Sequence, residues 1–152
     1  MIVAFCGHSK YISNKNDEKK IFDILNAYIR DEHVEFFLGE YGAFDDFAYR
    51  CAKKYKEIHP HARLVFITPY ISLDYQKNHL SYQKERFDDV IYPGLENVPI
   101  RFAISHRNKW IIQKADLLIA YITHTFGGAY DMYRYAKGKC PTIINIAPQK
   151  IN

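Results

Sequence analysis

The stretch ADLLIAYITHTFGGAYDMYRYAKGK, residues 115–139, decides the fold. Its first part, ADLLIAYI, is the most apolar run in the chain and reads as a strand buried on both faces. Two glycines, Gly127 and Gly128, follow at once. Ala129, Met132, Tyr133 and Ala136 then recur at helical spacing, so a helix is expected over about 128–137, with Gly138 near its end. A strand buried on both faces that turns through glycine into an amphipathic helix is the unit of a parallel sheet covered by helices.

The same unit recurs upstream. MIVAFC reads as a first strand, stopped by Gly7. Ile21, Ile24, Leu25, Tyr28 and Ile29 mark a helix over 17–30. VEFFL (34–38) is a second strand, closed by Gly39. Phe44, Phe47, Ala48, Cys51, Ala52 and Tyr55 mark a helix that ends near His59-Pro60. RLVFIT (63–68) and TIINI (142–146) are further strands, and a helix capped by Ser105 runs to about Lys114. Residues 70–97 lack a clean period, apart from a short strand in FDDVIYP. They are expected to form an irregular insert or lid. The fold class is therefore α/β: a Rossmann-like, doubly wound, mostly parallel sheet flanked by helices, in a single domain spanning residues 1–152.

Composition narrows the function. The chain has 152 residues, 48% of them hydrophobic and 25% charged, which suits one soluble globular domain. Its 13 Tyr and 10 Phe against 1 Trp offer stacking faces for a flat polar ligand, although most such rings serve packing. The net charge of +4 is spread thinly, so it favours small anions and argues against nucleic acid as a partner. Three widely spaced cysteines fit neither a disulfide framework nor a zinc site, and the histidines form no ligand spacing, so no metal and no cofactor is expected. No run is long enough to span a membrane, and MIVAF is too short for a signal peptide; a cytoplasmic protein is expected.

In doubly wound folds ligands bind beyond the carboxyl ends of the strands, which selects the loops that matter. Gly7 and His8 follow the first strand. Gly39 and Gly42 lead into the second helix, where Asp45 and Asp46 either complement the helix dipole or accept from ribose hydroxyls. Arg107 offers a planar fork for phosphate and Asn108 both donates and accepts; both are expected in the first turn of their helix. Thr123, Gly127 and Gly128 suit a ribose-phosphate cradle. Asp131, in the first turn of the last helix, either reaches the crevice or faces water. There is no GxSxG, GxGxxG or P-loop.

Five stretches, VAFCGHS, GEYGAFDDFAYRCAKKY, VFITPY, ENVPIRFAISHRNKWII and ADLLIAYITHTFGGAYDMYRYAKGK, resemble the SLOG superfamily. These Rossmann-like domains include the DNA-processing protein fold and the lonely-guy cytokinin-activating hydrolases. The likeness is greatest to small SLOG-type proteins of Firmicutes and their phages. The resemblance implies a nucleotide-derived ligand held by Gly7, His8, Gly42, Phe44, Asp45, Arg107, Asn108, Thr123, Gly127 and Gly128, and a homodimer. Lonely-guy hydrolases carry PGGxGTxxE, whereas this chain has TFGGAYDMYRYA, with Phe126 at the proline and no glutamate. A binding module for an ADP-ribose-like or cyclic nucleotide, acting as a sensor or sequestering protein, is the first expectation. The alternative is an N-glycosidic bond enzyme, a nucleotide hydrolase or deoxyribosyltransferase-like catalyst, using Asp45 or Asp131.

Overall fold

The computed structural model describes residues 1–30 and 33–149. Residues 31–32 and 150–152 of the expected domain lie outside the described residues. Six strands form one sheet: β1 (Ile2–Gly7), β2 (Glu35–Leu38), β3 (Arg63–Ile67), β4 (Asp89–Ile91), β5 (Leu117–Tyr121) and β6 (Thr142–Asn145). Their spatial order is β4-β3-β2-β1-β5-β6, and every pairing is parallel. Parallel neighbours need a crossover, and helices α1 (Lys15–Tyr28), α2 (Ala43–Ile58), α5 (Ala103–Lys114) and α6 (Gly128–Ala136) supply most of them. The doubly wound α/β class expected from the sequence is the class observed.

Alternate residues of each strand face opposite layers. Val3 and Phe5 of β1 join a core with Ile21 and Leu25 of α1 and Phe44, Phe47, Cys51 and Tyr55 of α2. Ala4 and Cys6 of the same strand join a second core with Ile111 and Ile112 of α5 and Met132 and Ala136 of α6. Both faces of the sheet are thus dry, which is why the strands read as continuous apolar runs.

Three local expectations are corrected. First, α1 starts at Lys15, because Asn14 caps it by accepting from the Asp17 N–H at 2.8 Å. Second, the stretch 70–97 is regular over 73–86 and 89–91, while 92–97 carries neither helix nor strand. Ser72 caps a helical run made of α3 (Leu73–Tyr75), a π turn (Gln76–Leu80) and α4 (Ser81–Arg86), and β4 then pairs with β3. This run presents an inverted pattern, with Leu73 84% exposed and the polar Gln83 3% exposed, so no apolar stripe announces it. Third, Ser105 is not a cap. A 3-10 turn (Ile100–Phe102) leads straight into α5 at Ala103, without a side-chain cap.

Two glycines are explained by packing. A Cβ on Gly7 would lie 2.2 Å from Cγ of Phe44. Gly42 has φ +123°, and a Cβ there would lie 2.7 Å from the Ser9 backbone. We expect Gly7→Ala to destabilise the fold by about 1–3 kcal/mol through this overpacking, measured by urea unfolding. Gly128→Ala should be neutral or slightly stabilising, since nothing lies within 4 Å of its Cβ position and alanine favours helix.

Candidate functional site

The chain leaves β1 towards the α1–α2 face and leaves β5 towards the α5–α6 face. Because β1 and β5 are neighbours, their following loops diverge and open a crevice at the carboxyl edge of the sheet. A cavity of about 570 Å³ occupies that crevice. Its buried walls are apolar, from Phe5, Phe37, Ile111 and Met132, while Lys10, Tyr41, Phe126 and the two glycines of the last loop stand exposed around it. A cavity of this size with apolar walls and few polar groups suits a small ligand.

The polar groups converge from three elements. Arg107 projects from the second turn of α5, not the first, because the helix begins at Ala103. It is 3% exposed, its Nη1 donates to the Ile67 carbonyl at 2.9 Å, and its Nε has no protein partner. Burial lowers its pKa, and Asp45 and Tyr41 oppose that shift; a guanidinium stays charged regardless. The Tyr41 ring lies 5.1 Å from the guanidinium carbon. Gly39 fills the gap between Arg107 and Asp45: a Cβ there would sit 2.9 Å from Nη1 and 3.1 Å from the Asp45 Oδ2.

Asp45 is the third residue of α2. Its Oδ2 accepts from the Tyr41 N–H at 2.9 Å, which folds the loop over Gly39–Gly42. Burial raises its pKa, and the Tyr41 N–H and Arg107 act against that rise. A half-buried carboxylate beside a buried guanidinium gives the cavity adjacent acceptor and donor groups.

His8, 8% exposed, accepts the Thr123 N–H at Nε2 at 2.8 Å, so its neutral ring carries the proton on Nδ1. Burial and then His124 lower its pKa. The His8 and His124 rings stack at 3.6 Å and 14°, and His124 stacks with Phe126 at 4.0 Å and 22°. The His124 Nδ1 lies 3.1 Å from the Phe126 carbonyl oxygen. At Gly127, φ is +92°, a conformation that favours glycine, and it precedes α6 without a side-chain cap.

The structure therefore gathers Gly7, His8, Gly39, Asp45, Arg107, Asn108, Gly127 and Gly128 around one cavity. The other expected residues stand apart from its lining. Phe44 is fully buried in the core beside Tyr11 and Phe47. Gly42 shapes the turn against Ser9. Thr123 contributes its backbone N–H to His8. Asp131 is exposed on α6, and its N–H closes the first turn onto the Gly127 carbonyl. Sequence reasoning missed Lys10, just beyond the first strand, and Ile104 and Met132, whose apolar character pointed only to the core. Among the described residues, no group of three or more His, Cys, Asp or Glu side chains gathers, and no helix is long and apolar enough to cross a membrane.

No protein-family model matches the chain, and no curated protein does. Among solved structures, DNA processing protein A from Helicobacter pylori, described by its unique single-stranded DNA binding mode, superposes with a TM-score of 0.61 at 17% identity. The match covers 100% of this chain and 67% of that one. The chain thus has the Rossmann-like fold of the DNA-processing proteins. This finding corrects the expectation against nucleic acid. That expectation rested on diffuse charge, whereas the Helicobacter pylori protein, whose fold this chain shares, is a single-stranded DNA-binding protein. Binding to a single strand draws on base stacking as well as on charge, so net charge alone does not exclude it.

The Asp45 shift has a definite sign. Its folded pKa lies above the ordinary carboxylate value of 3.8, so the folded state takes up a proton before the unfolded chain does. Its contribution to stability therefore rises as pH falls through the folded pKa towards 3.8. Urea midpoints of the wild type and Asp45→Asn across pH 4–8 isolate this effect: lowering the pH should shift the difference in favour of the wild type.

Proposed function

We propose that the chain binds a nucleotide unit, a base on a sugar phosphate, in the crevice between the β1 and β5 loops, as a sensor or sequestering module. The observation that carries this reading is the buried Arg107 guanidinium at the cavity, held at one end by the Ile67 carbonyl and carrying an Nε without a protein partner. A fixed, desolvated cation that shares its cavity with open glycine backbone at a helix start favours a phosphate or pyrophosphate. The aromatic rings around the opening favour a base. The likeness to a single-stranded DNA-binding protein supports the same chemistry, with the unit either free or part of a strand. In this reading the chain is a small SLOG-type domain that pairs as a homodimer, a state that sedimentation velocity measures directly.

A second reading has one specific observation in its favour. Asp45 presents a half-buried carboxylate with a raised pKa at the cavity, beside a cation. Such a group suits stabilisation or capture of an oxocarbenium-like centre, the chemistry of N-glycosidic cleavage. Asp131, outside the cavity lining, has no comparable setting.

Thermal shift with 5′-mononucleotides, cyclic nucleotides, ADP-ribose and oligodeoxythymidylate tests the first reading. A bound ligand at a hundredfold excess over Kd stabilises by about 2.7 kcal/mol, and Arg107→Lys, which keeps the charge but loses the fork, should reduce affinity about tenfold or more. Absence of any shift across the panel rejects it. Release of free base from any nucleotide, abolished in Asp45→Asn, establishes the second reading; full turnover in that variant removes Asp45 from it.

A further inference from the structure

The three rings His8, His124 and Phe126 form a graded stack. His8 is buried, His124 is half-buried and Phe126 is 69% exposed. Two rings near-parallel to His124, with centroids at 3.6 and 4.0 Å, cannot share one of its faces without coinciding. They therefore lie on opposite faces, and the stack leads outward from the sheet edge to a solvent-exposed phenyl ring. Its inner end is pinned by the Thr123 N–H to His8 bond, and its outer end by the contact between the His124 ring nitrogen and the Phe126 carbonyl.

An exposed phenylalanine on a glycine-rich loop would ordinarily sample several rotamers. Here the His124 ring, itself stacked on His8, and a backbone contact hold it, so a flat ligand meets a preformed surface and little ordering entropy remains to be lost. Gly127 and Gly128 follow directly, and no atom lies within 4 Å of either Cβ position. The open backbone beside the ring leaves room for a sugar phosphate, which can then reach towards the helix start and Arg107.

We propose that the His8–His124–Phe126 stack is a nucleobase platform: the outer face of Phe126 receives the base, and the attached sugar phosphate passes over Gly127–Gly128 towards Arg107. This rests on the nucleotide reading above and adds the position of the base and the residue that selects for it. Stacking tolerates any base and strengthens with ring area, so Phe126 favours purines over pyrimidines without reading their edges. His124 is a positioning residue, because it touches the ring and not the base.

A fluorescent base reports stacking directly. Two probes are used, 2-aminopurine riboside 5′-monophosphate and oligodeoxythymidylate carrying one 2-aminopurine, with ribose 5-phosphate as the baseless control. Binding to the wild type should quench at least one probe. Phe126→Ala should weaken that probe about 5- to 100-fold, abolish the quench at saturation and leave the affinity for ribose 5-phosphate unchanged. Phe126→Trp should preserve both affinity and quench. His124→Ala should give an intermediate loss that His124→Phe restores. Quenching of the monophosphate alone identifies a free nucleotide, and of the oligomer alone a strand. The platform is overturned if the bound probe is unquenched, if Phe126→Ala binds and quenches like the wild type, or if ribose 5-phosphate binds as tightly as the nucleotide. It is also overturned if Phe126→Ala lowers self-association and leaves probe binding intact. Failure of both probes and ribose 5-phosphate to bind rejects the nucleotide reading itself.

Discussion

Strand β1 is hydrogen-bonded along both edges, to β2 on one side and to β5 on the other, and both pairings are parallel. That double pairing fixes the rest of the molecule. A strand enclosed in this way has no wet face, so each of its residues must be apolar or small, as Val3, Ala4, Phe5 and Cys6 are. The chain winds outward from β1 through β2, β3 and β4, then returns to its other edge to lay down β5 and β6. The return puts the next helices on the opposite face. The loops after β1 and β5 must then separate, and the crevice between them is a geometric consequence of the winding.

The few polar groups of the crevice are held in place by how its neighbours are packed. Arg107 is carried on a helix that covers one face of the sheet, yet its guanidinium ends at the carbonyl of Ile67, the last residue of β3. Gly39, at the end of β2, leaves the space the guanidinium occupies. Tyr41 then turns its N–H to Asp45. The loop is braced from outside by α4, where Gln83 and Arg86 both donate to the Glu40 carboxylate. Arg86 also lies 4.1 Å from the Tyr49 ring centre, which ties this brace to α2. Residues 73–86, far from the crevice in sequence order, therefore help to fix the loop that presents Asp45.

The sequence made some of this legible and hid the rest, for definable reasons. Strands enclosed on both faces announce themselves as apolar runs, so ADLLIAYI and RLVFIT reveal the sheet without ambiguity. The helical run over 73–86 stayed hidden because it buries Gln83 and exposes Leu73, the reverse of the usual signal. A glycine in sequence does not say whether it makes room for a ligand or for a neighbour. Gly7 and Gly42 make room for Phe44 and Ser9, whereas Gly127 and Gly128 face open space. Asp45 and Asp131 look alike locally, each in the first turn of a helix after glycine; only the tertiary fold puts one in the cavity and the other at the surface. The ring stack was beyond reach, because contact between His8 and His124 joins residues far apart in the chain.

The three cysteines, Cys6, Cys51 and Cys140, are all buried and unpaired. Burial also raises the pKa of each thiol, which suppresses the thiolate, the nucleophile that alkylating reagents trap. The folded protein is in this sense chemically silent. Gly128, by contrast, has open space around its Cβ position and an ordinary backbone angle. A thiol introduced there, Gly128→Cys, would be the single site that a maleimide dye can reach, and the dye would stand at the opening of the crevice. The native chain is thus already arranged to be converted into an optical reporter of whatever enters that opening, with no background cysteine to remove.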